Sequence, residues 1–191
     1  FFAFFKLMTI GFVGISTNWL TILGVLIIIT LFLANTMGLA QSNAKRMLAY
    51  SSVSHAGYIA LIFFGRTSLS TYHLAFYLFA YSIATVGVMM TLIWVEKIKR
   101  ETSIHAFSGL AKTEPILAIT TAVSLLSMAG IPLTAGFIGK LSLFSQALNG
   151  NPSVTFNSSS FLVIIAVLGS AISIAYYLRL IISMFFAKES S

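Results

Sequence analysis

Residues 115–148 read PILAITTAVSLLSMAGIPLTAGFIGKLSLFSQAL. The run is 34 residues long, almost wholly apolar, and carries a single charge, Lys140. As one straight helix it would measure ~51 Å, far more than a hydrocarbon core of about 30 Å needs. Pro132 cannot donate to a helix ladder and crowds the carbonyl of Met128. Gly130 and Gly136 loosen its flanks. The stretch is therefore predicted to be a broken membrane helix, with Gly130, Pro132 and Gly136 at the break. Irregular backbone at membrane depth is tolerated where it lines a cavity, and transporters use such breaks to hold ions. A packing kink would account for the proline and glycines alone. The lysine close behind them favours a wet, working site.

The rest of the chain agrees. Of 191 residues, 58% are hydrophobic and only 8% charged, against about 25% charged in an ordinary globular chain. Five further apolar runs can be drawn: Phe1–Ser16, Trp19–Leu39, Met47–Phe64, Tyr72–Trp94 and Phe161–Phe186. The fold class is an all-α transmembrane bundle of about six membrane segments within a single domain, residues 1–191. There is no cysteine, which excludes disulfides and thiolate-held zinc or iron–sulfur sites within the chain. The three histidines are widely spaced, without carboxylates beside them, and suggest no metal site. The chain opens inside an apolar run and without Met, so it reads as a piece of a longer or split subunit.

The net charge of +7 would suggest nucleic acid for a soluble protein. Here the basic residues sit in short loops, and membrane topology explains them better. With the face reached by a turn at Thr17–Asn18 named side A, side B holds Lys45, Arg46, Lys97, Lys99, Arg100, Lys112, Lys188 and, near a helix end, Arg179. Side A holds Arg66. Side B therefore faces the cytoplasm or its equivalent. Trp19 and Trp94 fall near opposite interfaces, where indole rings prefer to sit.

Two basic residues remain, Lys6 and Lys140. Lys6 precedes Ser16 by roughly 15 Å of helix, and Lys140 precedes Asn149 by roughly 14 Å. Both amines are thus expected near the midplane, at matching depth. A lysine there costs about 2.5–3.5 kcal/mol on insertion scales, and intramembrane charges mark ion or proton paths. The four acids (Glu96, Glu101, Glu114, Glu189) all lie on side B, so neither lysine has a carboxylate in its own span. Burial weighs against the charged form of an amine, which suits a group that must both take and release a proton. The plainer alternative is structural: each lysine bonds carbonyls freed by a helix break.

His55, in YSSVSHAGY, has Ser51, Ser52 and Tyr58 at helical spacing. It is a candidate proton relay; a hydrogen-bonded interhelical histidine is the plainer reading. Ser124 and Ser127 are candidates to hold water before the break, or to pack and bond backbone. Arg179 is expected to snorkel, with Tyr176 and Tyr177 as an interfacial anchor. His73 and His105 receive no role.

Three stretches carry a resemblance: QSNAKRMLAYSSVSHAGY (41–58), GLAKTEPILAITTAVSLLSMAGIPLTAGFIGK (109–140) and GSAISIAYYLRLIISMFF (169–186). Together they resemble subunit N of complex I, called subunit 2 in mitochondria, an antiporter-like, proton-pumping membrane subunit of NADH:quinone oxidoreductase. The resemblance implies two inverted five-helix repeats, each with a broken helix. Residues 1–16 would be the tail of a first-repeat helix, and 19–186 the five-segment second repeat with the break inside 115–148. Lys6 and Lys140 match lysines on the family's central proton-carrying line. The family's upstream glutamate and a further upstream lysine have no counterpart here, so this chain would not be a complete proton channel.

The resemblance further implies FMN, iron–sulfur clusters and quinone elsewhere in the complex, with none expected in this chain. Expected partners are other complex I membrane subunits, including the antiporter-like sisters, the N-terminal half of the same subunit, and lipid, with no nucleic acid. The expected location is a bacterial or mitochondrial inner membrane, ahead of the thylakoid. The competing function is a subunit of a multisubunit cation/proton antiporter or related membrane-bound hydrogenase. A scaffold without ion traffic is a third reading, which the buried amines disfavour.

Overall fold

In lipid every backbone N–H and C=O must find its partner inside the segment, so long apolar runs become helices. A computed structural model describes residues 2–11, 16–65, 69–149 and 156–187. Arg66 and Lys188, used above for orientation, lie outside these residues. The helices are α1 (Phe2–Lys6), α2 (Ser16–Ala40), α3 (Ala44–Ala60), α4 (Ser70–Lys99), α5 (Leu110–Thr113), α6 (Pro115–Ala129), α7 (Ala135–Leu148) and α8 (Phe156–Phe186). A π-helical turn, Leu7–Gly11, continues α1, and a 3-10 turn, Leu61–Phe64, continues α3. Four stretches are long and apolar enough to cross a membrane: Trp19–Ala40, Ala44–Phe64, Ser70–Lys99 and Ser159–Phe186. The described residues form an all-α transmembrane bundle.

The predicted break is present, and its outer limits are those read from the sequence. Pro115 starts α6 at a first-turn position, where a missing N–H is harmless. Helix α6 stops at Ala129 and α7 starts at Ala135. At ~22 Å and ~21 Å, neither half spans the core alone.

One end of the bundle is knitted by polar contacts. Ala44 N–H donates to the Thr102 carbonyl at 2.8 Å, and Ile104 N–H to that of Ser42 at 2.9 Å. Asn43 caps α3 by accepting from the Arg46 N–H, and its amide donates to Thr102 Oγ1 at 2.8 Å. Lys45 pairs with Glu96 at 2.9 Å. The side-B basic loops therefore meet in space. At the opposite end Trp19 packs edge-on against Phe63, and Ser70 donates to Gln146 Oε1 at 3.4 Å.

Two expectations are corrected. Thr17 and Asn18 are not a turn; they lie in the first turn of α2. Tyr176 and Tyr177 do not anchor an interface. Both are fully buried, and their hydroxyls are absorbed by polar partners from other helices. Arg179 turns inward as well, donating to the Leu39 carbonyl at 3.1 Å and to that of Gln41, where α2 ends.

Candidate functional site

The break is built from local backbone rules. Gly130 takes the left-handed conformation (φ 80°) that closes α6. Its N–H donates to Ser127 O, and the Ile131 N–H reaches back to Leu126 O, the paired bonds of a Schellman closure. Ile131–Thr134 then turns tightly, with Thr134 N–H on Ile131 O at 3.3 Å. Pro132 leads this turn, and Leu133 is forced to φ 77°. Thr134 caps α7 by accepting from the Phe137 N–H. Gly136 N–H donates to Ser127 Oγ at 3.1 Å, and a Cβ on Gly136 would overlap the Ser127 carbonyl. The two half-helices thus touch backbone to backbone.

Lys140, one turn into α7, reaches back across this junction. Nζ donates to Ala129 O at 3.0 Å and to Ser170 Oγ at 3.0 Å. Its residue is only 4% exposed. Ala129 O belongs to the last turn of α6, where carbonyls lack helical partners and carry the negative end of the helix dipole. The aliphatic stem packs on Gly130, where an added Cβ would sit 2.9 Å from Lys140 Cδ. Tyr58 places its ring beside the amine, with Nζ 4.8 Å from the ring centroid. Carbonyl, hydroxyl and ring face surround a group that carries a full charge when protonated.

His55 sits in a second polar cluster. Nδ1 bonds Tyr77 Oη at 2.7 Å and Nε2 bonds Tyr177 Oη at 3.2 Å. Tyr177 also bonds Ser51, and Tyr81 stacks on the imidazole at 4.5 Å. Both nitrogens are therefore occupied by hydroxyls from α4 and α8, the interhelical arrangement read as the plainer alternative. Such a chain can still pass a proton, because imidazole can gain it at one nitrogen and lose it at the other. A cavity of about 10 Å³, at the lower bound for holding one water, lies between His55, Tyr77, Tyr81, Ser127 and Gly136. Its lining is drawn from both the histidine cluster and the helix break.

Lys6 is placed differently. It ends α1, against the π turn, and its side chain is exposed on this chain. Helix α1 is seated by Phe4 and Phe5 on Phe63, at the side-A end of α3. Among the described residues Lys140 is enclosed and Lys6 is exposed. Of the remaining candidates, Ser127 lies at the break, while Ser124 lies where α6 crowds Gly87 of α4.

Residues missed in the sequence are Ser170, Tyr77 and Asn35. Asn35, fully buried, donates to Leu31 O at 2.8 Å and to Tyr58 Oη at 3.3 Å, and accepts from Tyr176 Oη at 3.3 Å. Ser170, Ser173 and Tyr177 recur at helical spacing on one face of α8, a polar stripe that could have flagged Ser170. Asn35 is a lone amide in an apolar run and gives no such pattern.

Residues 1–175 match the profile of the NADH:quinone oxidoreductase/Mrp antiporter transmembrane family. NADH-quinone oxidoreductase subunit N of Trichlorobacter lovleyi is 37% identical over 187 residues, covering 97% of this chain and 37% of the relative. The subunit N of Cytophaga hutchinsonii is 40% identical over 163 residues, 85% of this chain and 34% of the relative. The chain thus spans about a third of the length of these relatives. Among solved structures, respiratory complex I from Thermus thermophilus with bound aureothin aligns with TM-score 0.73 and 32% identity, covering 89% of this chain and 37% of that one. The membrane-bound sulfane sulfur reductase, an archaeal respiratory membrane complex, aligns with TM-score 0.80 and 27% identity over 91% of this chain and 34% of that one. With a broken helix, an enclosed lysine and a profile match over most of its length, the chain belongs to the NADH:quinone oxidoreductase/Mrp antiporter transmembrane family.

Proposed function

We propose that this chain is part of a proton-translocating membrane subunit of NADH:quinone oxidoreductase, and that Lys140 carries the proton. The observation that carries this reading is an amine 4% exposed, bonded to the open end of a half-helix and to a serine. A group so placed serves as a loading site: the carbonyl and hydroxyl receive the ammonium, and loss of a proton leaves a neutral amine that the same serine can still bond. Lys6 is a second carrier, beside a π turn of the kind that recurs at functional sites. His55, with Tyr77 and Tyr177, relays protons between helices through the cavity at the break. Electron transfer from NADH to quinone takes place in other subunits, where FMN and iron–sulfur clusters would be held, and reaches this chain as a change in field or hydration. The partners are the other membrane subunits of the complex, and the location is a bacterial or mitochondrial inner membrane.

The test is Lys140→Met in the whole complex, reconstituted in vesicles, with proton uptake read against quinone reduction. Proton transfer through this subunit should be lost while the complex still assembles. Normal pumping would overturn the reading. The family description includes Mrp antiporters, which favours one second reading, exchange of a cation for protons. Sodium-dependent proton movement without quinone would support that instead.

A further inference from the structure

The sequence offers Lys140 no acid in its own span, and among the described residues none bonds its amine: two donor positions are taken by Ala129 O and Ser170 Oγ. An ammonium has three N–H groups. The remaining side of Nζ faces the ring of Tyr58, 4.8 Å from its centroid, within the ~6 Å range of cation–π attraction. The ring face carries negative charge density, so it attracts the ammonium and is indifferent to the neutral amine. Away from water this attraction is strongest, and Tyr58 is fully buried.

We infer that Tyr58 is a positioning residue that takes the place of a carboxylate counter-ion, holding the loaded state of Lys140 with its ring face.

The ring is held as a group with that task would have to be. Its hydroxyl accepts from Asn35, and Asn35 is tied in turn to Leu31 O and Tyr176. Gly169 on α8 leaves the space for this contact, because a Cβ there would lie 2.9 Å from Asn35 Nδ2 and 3.2 Å from Tyr58 Oη. Phe144 and His55 pack against the ring at 6.2 and 5.8 Å between centroids, edge to face. The hydroxyl therefore fixes the ring, and the ring meets the amine. A carboxylate in that place would bind the ammonium tightly and resist unloading. A ring binds it less strongly and lets the proton leave.

This inference rests on reading Lys140 as the proton carrier, and the experiment separates the two. In the whole complex, position 58 is replaced by phenylalanine, by phenylalanines bearing one, two or three ring fluorines, and by leucine. Protons moved per quinone reduced are measured in vesicles, with thermal melting as a check on assembly. Fluorine withdraws ring charge with little change in shape. Taking the part of the ratio that Lys140→Met removes as this subunit's share, that share should fall least for Tyr58→Phe, stepwise with successive fluorines, and about tenfold for Tyr58→Leu. A flat response across the series, with Lys140→Met inactive, overturns the counter-ion role and leaves the carrier role standing. If Lys140→Met pumps normally, both fall. A loss on Tyr58→Phe as large as on Tyr58→Leu would also overturn it, since the hydroxyl and not the ring would then be what matters.

Discussion

Lys140 and Lys6 are the same residue type in equally apolar surroundings of sequence, and the described residues surround them differently. Lys140 is enclosed by α6, α8 and the end of α3, with its amine on a freed carbonyl and a hydroxyl. Lys6 ends a five-residue helix and is exposed on the surface of this chain. The difference lies in backbone. The α6–α7 junction supplies an orphan carbonyl inside the bundle, and a nearby glycine leaves room for the lysine stem. A buried charge needs such a prepared seat; the π turn after Lys6 forms no comparable enclosure from these residues.

The contrast can be broken most severely at Gly136. A valine there would collide with the backbone of Ser127, so α6 and α7 could not meet; a loss of more than about 3 kcal/mol is expected, seen as failure of the subunit to accumulate in the complex. Removing the lysines sharpens the comparison next. Lys140→Met removes the Nζ bonds to Ala129 O and Ser170 Oγ, leaving these two only their 3.4 Å bond to each other, and should lower the melting point, by a free energy of about 1–3 kcal/mol. Lys6→Met should shift the melting point less than Lys140→Met does, since within the described residues its side chain is exposed.

Gly130→Ala should cost about 1–2 kcal/mol, because a side chain is strained at φ 80° and presses on the Lys140 stem. Proton movement should fall with it. The smallest effect, with the opposite sign, is expected at Leu133. This fully exposed leucine occupies the turn position that favours glycine. Leu133→Gly should stabilise by at most ~1 kcal/mol in thermal melts, with proton movement unaltered.

Much of this was legible in the residues themselves. The length of 115–148, set against bilayer thickness, exposed the break. Pro132 and the glycines located it, and a lone lysine marked it. The basic loops correctly grouped one end of the bundle. What could not be read were contacts between distant segments. Tyr176 and Tyr177 beside Arg179 look like an interfacial belt, because amphipathic rings and a basic residue occur together there; only the packing of α2 and α3 on α8 shows that they are buried on Ser51 and Asn35. Ser170 and Tyr58 were named by neither charge nor breaker, yet they complete the seat of Lys140. The enclosure of Lys140 depended on which helices surround it, which spacing along one segment does not encode.

The central claim is that Lys140 works by changing charge and does not merely cap α6. Arginine separates these roles, because it offers a charged donor to the same carbonyl but does not give up its proton. The decisive measurement is the number of protons moved per quinone reduced by a Lys140→Arg complex that melts near the parent temperature. The account expects a ratio no higher than that of Lys140→Met. A parental ratio would show that a fixed positive cap is enough, and would contradict it.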